Sequence, residues 1–151
     1  MIGSEGTLGF IAEITYCTVE EHTHKATALM IFSDIQTACE AVAALKNQPV
    51  AAVELMDRAS LRSVENKTGI PDYFSTLPET AAALLVETRA MDPATLQTQV
   101  AKVTDAIAAL PTLLPLHFTD RPEEFNQLWA IRKGLFPSVG SARATGTTVI
   151  I

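Results

Sequence analysis

Hydrophobic and polar positions along the chain follow two periods, and together they spell one unit twice. In the first copy residues 26–32 form an apolar run of strand length. Ser33 and Gln36 then stand at capping-box spacing. Ile35, Ala38, Cys39, Val42 and Leu45 recur every three or four residues and predict a helix with one apolar face. Asn47-Gln48-Pro49 ends that helix, and residues 50–56 read as a strand. The second copy opens with the Leu- and Val-rich run 82–88. Asp92 is placed to cap a helix, with Pro93 at its first position. Leu96, Val100, Val103, Ile107 and Leu110 mark its apolar face, Pro111 stops it, and residues 113–118 make a closing strand.

Strand–helix–strand repeated in this way predicts an α+β fold of ferredoxin-like type: an antiparallel sheet with both helices on one face. Between the copies, residues 57–80 hold a short helix with Leu61 and Val64 facing inward and Gly69 at a C-terminal glycine cap, then a Pro-rich loop. After the second copy, Pro122 with Glu123 and Glu124 starts another helix, where the carboxylates suit the positive helix end. Phe125, Leu128, Trp129 and Arg132 follow at helical spacing. Gly134 and Pro137 are expected to end it, ahead of a small-residue loop from 140 to 146 and a strand over 147–151.

At the N-terminus, Gly3-Ser4-Glu5-Gly6-Thr7-Leu8-Gly9 precedes an apolar run over 10–16 that reads as a buried strand. Three glycines in this stretch expose the backbone and permit positive φ, so its N–H groups could cradle a phosphate. It has no Gly-Lys-Ser/Thr ending and no GxGxxG leading into a helix, so it is neither a Walker A loop nor a Rossmann fingerprint. A glycine turn with no ligand is the alternative.

Composition narrows the partners. The 151 residues carry a net charge of −6, and 48% are hydrophobic. That supports a core of about one domain and gives no basic surface for nucleic acid. Aromatic residues make up only 6% and do not interleave with basic ones, which disfavours a single-stranded RNA platform. No run approaches the ~18 apolar residues of a membrane span. Cys17 and Cys39 have no metal-binding spacing and no signal peptide precedes them, so free thiols in a cytoplasmic protein are expected, peripheral to a membrane at most.

The segment Ile2-Gly3-Ser4-Glu5-Gly6-Thr7-Leu8-Gly9-Phe10-Ile11 closely resembles the stretch that closes the FAD-binding domain of the FAD-linked oxidases. That family includes D-lactate, glycolate and D-2-hydroxyglutarate dehydrogenases related to vanillyl-alcohol oxidase. The resemblance implies that this loop lies against FAD. Gly3, Ser4, Glu5, Gly6, Thr7, Gly9 and Ile11 are then the cofactor-side positions. It further implies that residues 1–20 are the tail of the FAD-binding domain and that 21–151 are the substrate or cap domain. Both ends look cut, so the sequence reads as a fragment, inactive by itself, of a flavin-dependent enzyme that oxidises a D-2-hydroxy acid.

A second stretch, Trp129-Ala130-Ile131-Arg132-Lys133, resembles the cap-domain helix whose arginine faces the flavin and grips the substrate carboxylate. Arg132 matches that arginine. A planar guanidinium binds a carboxylate through two charge-assisted bonds, so the residue type suits the task. Read without the resemblance, Arg132 is a helix-end or snorkelling arginine. Lys133 should point about 100° away. Arg143, in the loop that follows, is either a second anion contact or a solvated side chain. Glu54 and Asp57, in Val53-Glu54-Leu55-Met56-Asp57-Arg58, resemble a recurring family segment with no chemistry attached.

No catalytic residue or metal ligand is assigned. His22 and His24 form an HxH pair without a third ligand, and His117 reads as a sheet histidine. In the related dehydrogenases the catalytic histidine and any metal ligands lie further along the chain. The competing functional class is a stand-alone ferredoxin-like module that binds a small molecule or a partner chain, supported by the repeated unit alone.

Overall fold

The computed structural model describes residues 2–142 and 146. Its elements in chain order are β1 (His24–Phe32), α1 (Ile35–Leu45), β2 (Ala52–Met56), α2 (Arg58–Arg62), a 3-10 turn (Asp72–Thr76), β3 (Ala82–Ala90), α3 (Pro93–Ile107) and α4 (Pro122–Ala142). The strands form an antiparallel sheet in the order β1-β3-β2. The α+β class and the antiparallel sheet thus agree with the sequence pattern.

The central strand β3 is buried along almost its whole length, because both faces of the sheet are covered. That is why its sequence is a continuous apolar run and not an alternation. Side chains still take opposite faces in turn. Ala28, Met30, Phe32, Leu84 and Val86 point one way, onto Ala38, Ala41 and Leu45 of α1 and Val103 and Ile107 of α3. Ile31, Met56, Ala83 and Leu85 point the other way, onto Leu61, Val64, Phe74, Ile131 and Leu135. The two repeat helices share one face, as the pattern predicts. The insert and α4 cover the second face, which the repeat alone does not foresee.

The helix starts rest on short side-chain caps. Asp34 caps α1, accepting from the Thr37 N–H at 2.8 Å. Ser33, the expected cap, instead donates to Asp34 at 2.7 Å. Only the Asp34 carboxylate sits one residue before the first helical turn, where it reaches the orphan N–H groups. Asp92 and Pro93 cap and start α3 as expected, with Thr95 N–H to Asp92 at 2.8 Å. The face that α1 buries is Ala38, Ala41 and Leu45, while Ile35, Cys39 and Val42 are exposed. Small alanines let the helix lie close to the sheet, and the larger side chains flank the contact.

Four further expectations change. Residues 10–16 are not a strand but exposed and irregular. An isolated strand leaves its N–H and C=O groups unpaired, and the free edge of β1 is already taken. Residues 113–119 take it, with Leu113 N–H to Ile31 O at 2.7 Å and reciprocal Thr27–Thr119 bonds at 2.9 Å. That segment runs where a fourth strand would lie, but it pairs through isolated contacts and does not form the predicted continuous strand. Two prolines, Pro111 and Pro115, each lack an N–H for such a ladder. Gly69 has φ +85° and turns the chain, but it lies seven positions beyond the end of α2 at Arg62 and does not cap it.

Gly134 and Pro137 do not end α4, which runs on to Ala142. The proline ring removes one helical bond. The helix is held on both sides of it by buried Ile131 and Leu135 before the ring and by Ser138 after it, whose hydroxyl donates to Gly134 O at 2.5 Å. Lys67 from the insert also donates to the Ser138 hydroxyl.

Candidate functional site

The second face of the sheet changes character along its length. At one end it is apolar and sealed. At the other it carries Thr27, Glu87, Arg89 and Glu54. The register explains the grouping. Thr27 pairs with Glu87 across β1 and β3, and Glu54 of β2 pairs with Leu85 of β3. Since Leu85 belongs to the core under α4, Glu54 and Glu87 project to that same side.

Helix α4 crosses this polar end. Its side chains at three- and four-residue spacing meet the two glutamates in turn. The indole N–H of Trp129 donates to Glu87, and one turn later Nε of Arg132 donates to Glu54 at 2.9 Å. Glu87 is 1% exposed. Its carboxylate also accepts from the Thr27 hydroxyl at 2.9 Å and from Nε of Arg89. A buried carboxylate needs such a set of donors, because desolvation penalises an unpaired charge.

Glu54 is different. Its side chain is 36% exposed, that of Arg132 25%. Among the described residues the Arg132 guanidinium makes this one hydrogen bond, through Nε. The Nη1–Nη2 end, which matches a carboxylate in two parallel bonds, takes no protein acceptor there. Among the described residues the arrangement is a half-buried cation held from one side, with no acceptor on the other. Lys133 is exposed and takes no part. Arg143 lies outside the described residues.

The N-terminal loop has the backbone geometry of a ligand cradle. Gly3 and Gly6 have φ of +82° and +83°, and Glu5 has φ of +48°. The Thr7 N–H and hydroxyl both donate to Ser4 O, at 2.9 and 2.6 Å. A Cβ at Gly3 or Gly6 would meet nothing within 4 Å, so the main chain is open to a close approach. Positive-φ glycines with open backbone fit a phosphate-bearing cofactor. Gly9 and Ile11 are exposed beside it. Among the described residues no hydrogen bond joins residues 2–20 to the sheet or its helices, and the loop is not brought to Arg132.

A cleft of about 240 Å³ opens on the other side of α4, between Tyr73, His117, Thr119, Glu124 and Gln127. Burial raises the Tyr73 hydroxyl above its ordinary pKa. The Thr119 hydroxyl, then Arg121, lower that of Glu124. His117 is exposed at its rim, and His22 lies before β1, so the HxH pair does not share a strand. No group of three metal-ligating side chains occurs among the described residues. No helix among them is long and apolar enough to cross a membrane.

Sequence reasoning singled out Arg132 and missed its partner. Glu54 was visible only as part of a recurring segment. Its neighbour Asp57 proves to be the cap of α2, accepting from the Ser60 N–H at 2.8 Å. Glu87 was missed altogether. The signal available was a carboxylate followed by Thr and Arg near the end of an otherwise apolar strand, Val86-Glu87-Thr88-Arg89.

The family model described as "FAD linked oxidases, C-terminal domain" matches residues 21–151. A curated relative, the "D-lactate dehydrogenase [cytochrome], mitochondrial" of Arabidopsis thaliana, is 32% identical over 136 residues. That alignment covers 88% of this chain and 22% of the relative, so the chain spans about a fifth of the protein it matches.

Proposed function

The chain belongs to the FAD-linked oxidases, matching their C-terminal domain, and on that premise we propose that it is the substrate-side domain of an FAD-dependent dehydrogenase acting on a D-2-hydroxy acid of the D-lactate or D-2-hydroxyglutarate type. The observation that carries this reading is the Arg132 guanidinium, held through Nε by Glu54 at 2.9 Å and, among the described residues, without an acceptor at its other end. Residues 1–20 are the tail of the FAD-binding domain, whose remainder is the partner of residues 21–151. The printed name of the relative supports the substrate class.

Arg132 binds the substrate carboxylate through its Nη1–Nη2 end, in two charge-assisted bonds. Anchoring that carboxylate fixes the direction of the neighbouring C2–H bond, which is the positional part of catalysis. Bound FAD supplies the hydride acceptor. The hydroxyl proton leaves to a base outside the described residues, and the product is the 2-oxo acid. The Gly3–Gly6 turn, with Ser4, Glu5 and Thr7, offers its backbone to the cofactor, with Gly9 and Ile11 alongside. Arg143 is a second anion contact in this reading.

The test is a panel of D- and L-2-hydroxy acids, presented to the full-length flavoprotein with an artificial electron acceptor. Turnover restricted to D-2-hydroxy acids is expected. Turnover of L-acids alone, or of alcohols lacking a carboxylate, contradicts the proposal.

A further inference from the structure

Among the described residues the Glu54 side chain accepts one hydrogen bond, from Arg132. We infer that it is a positioning residue: its carboxylate holds the Arg132 side chain by Nε so that the Nη1–Nη2 end faces the substrate carboxylate. This rests on the proposed role of Arg132.

Three observations support it. First, the pair adds little to the fold. The two side chains are 25% and 36% exposed, and an ion pair so accessible to water contributes weakly to stability. Stability therefore does not account for a glutamate on an otherwise apolar stretch of β2, between Val53 and Leu55.

Second, the two ends of the contact differ in stiffness. Glu54 stands on a strand, and its register is fixed opposite Leu85 beside the packed pair Met56–Ala83. Arg132 is a long side chain with much rotamer freedom to lose. A carboxylate on a rigid strand restricts the guanidinium before substrate arrives.

Third, the bond uses the side nitrogen. A glutamate that competed with substrate would occupy the Nη1–Nη2 end. Among the described residues that end takes no acceptor, so Glu54 and a substrate carboxylate can bind the same guanidinium together. The neighbouring pair shows the same use of Nε, with Glu87 accepting from Arg89. Glu87, however, is buried with three donors, whereas among the described residues Glu54 accepts from Arg132 alone.

The inference makes the two properties of Glu54 separable. Its oxygen orients Arg132, and its charge weakens the binding of any anion beside it. Glu54→Gln keeps an acceptor for Nε and removes the charge. Glu54→Ala removes both. In the full-length FAD-loaded enzyme, with the best substrate from the 2-hydroxy acid panel, Glu54→Ala should lower kcat/KM about tenfold or more, the size of a lost charged hydrogen bond. Glu54→Gln should keep kcat within about threefold of the parent, with KM unchanged or lower. Oxalate, an unreactive carboxylate followed by its perturbation of the flavin spectrum, should bind Glu54→Gln at least as tightly as the parent and Glu54→Ala more weakly.

All rates are taken per bound flavin, so a loss of folded protein does not enter. Glu54→Ala with parental kcat/KM, or Glu54→Gln as damaged as Glu54→Ala, overturns the inference. Arg132→Ala is run beside them. If it impairs turnover while Glu54→Ala does not, the positioning role alone fails. If Arg132→Ala has no effect, the carboxylate-binding reading fails and the positioning role with it.

Discussion

The indole N–H of Trp129 is hydrogen-bonded to the buried carboxylate of Glu87, 42 positions earlier in the chain. This contact ties α4 to the central strand at the polar end of the sheet, one helical turn from Arg132. Removing the donor leaves a buried carboxylate short of a partner, which costs about 1–3 kcal/mol. Trp129→Phe, which keeps most of the apolar volume, should destabilise the domain by that amount in urea unfolding followed by circular dichroism. An unchanged midpoint would mean that Glu87 is satisfied without the indole.

Two helix caps make the fold sensitive to acid. The N–H of Thr37 lowers the pKa of Asp34, and that of Thr95 lowers that of Asp92, both below the ordinary 3.8. A carboxyl whose folded-state pKa lies below its unfolded value contributes fully above the unfolded value. The contribution is lost as pH falls through the lower, folded one. α1 and α3 should therefore loosen below about pH 4. The double variant Asp34→Asn with Asp92→Asn keeps a capping oxygen at each start but no titrating group. Its thermal midpoint should fall less steeply than the parent's between pH 5 and pH 2.5, in a titration stepped by about half a unit. Parallel curves would remove the caps from the acid response.

The insert between the repeat copies is part of the core. Phe74, on the 3-10 turn, is fully buried with Leu61 and Val64 against the sheet. Phe74→Ala should cost about 3–5 kcal/mol, the loss for a large aromatic removed from a packed interior. A change within about 0.5 kcal/mol, typical of an exposed site, would show the insert to be a loose loop.

The 151-residue chain alone should purify colourless and show no dehydrogenase turnover. Its glycine turn offers backbone N–H groups, but no hydrogen bond joins that turn to the packed part of the chain among the described residues. One loop supplies few of the contacts that a dinucleotide needs. A purified yellow chain, with flavin absorbance near one equivalent, would contradict this.

The repeated unit was legible because its shared core is written in local periods: Val103 and Ile107 along α3, Leu84 and Val86 along β3. Contacts between distant elements were not. Nothing local distinguishes Glu54 from a solvated strand residue until the register sets it beneath α4, 78 positions before Arg132. The strand expected over 10–16 failed because β-propensity describes a surface that needs neighbours, and residues 113–119 hold the sheet edge. Pro137 misled as a helix stop because tertiary packing of Leu135 and the Ser138–Gly134 bond outweigh the one bond the ring removes. Arg132 itself could be singled out only through the resemblance of its helix, since an arginine on an amphipathic helix is common.

The central claim is that Arg132 binds the substrate carboxylate, and the most direct test is the kcat/KM of Arg132→Ala in the full-length, FAD-loaded protein. Each charge-assisted hydrogen bond is worth about 1.5–3 kcal/mol, and the loss of at least one is read in the rate. That predicts a loss of at least about tenfold per bound flavin, and more where both bonds are lost. Parental kcat/KM at full flavin occupancy would contradict the account.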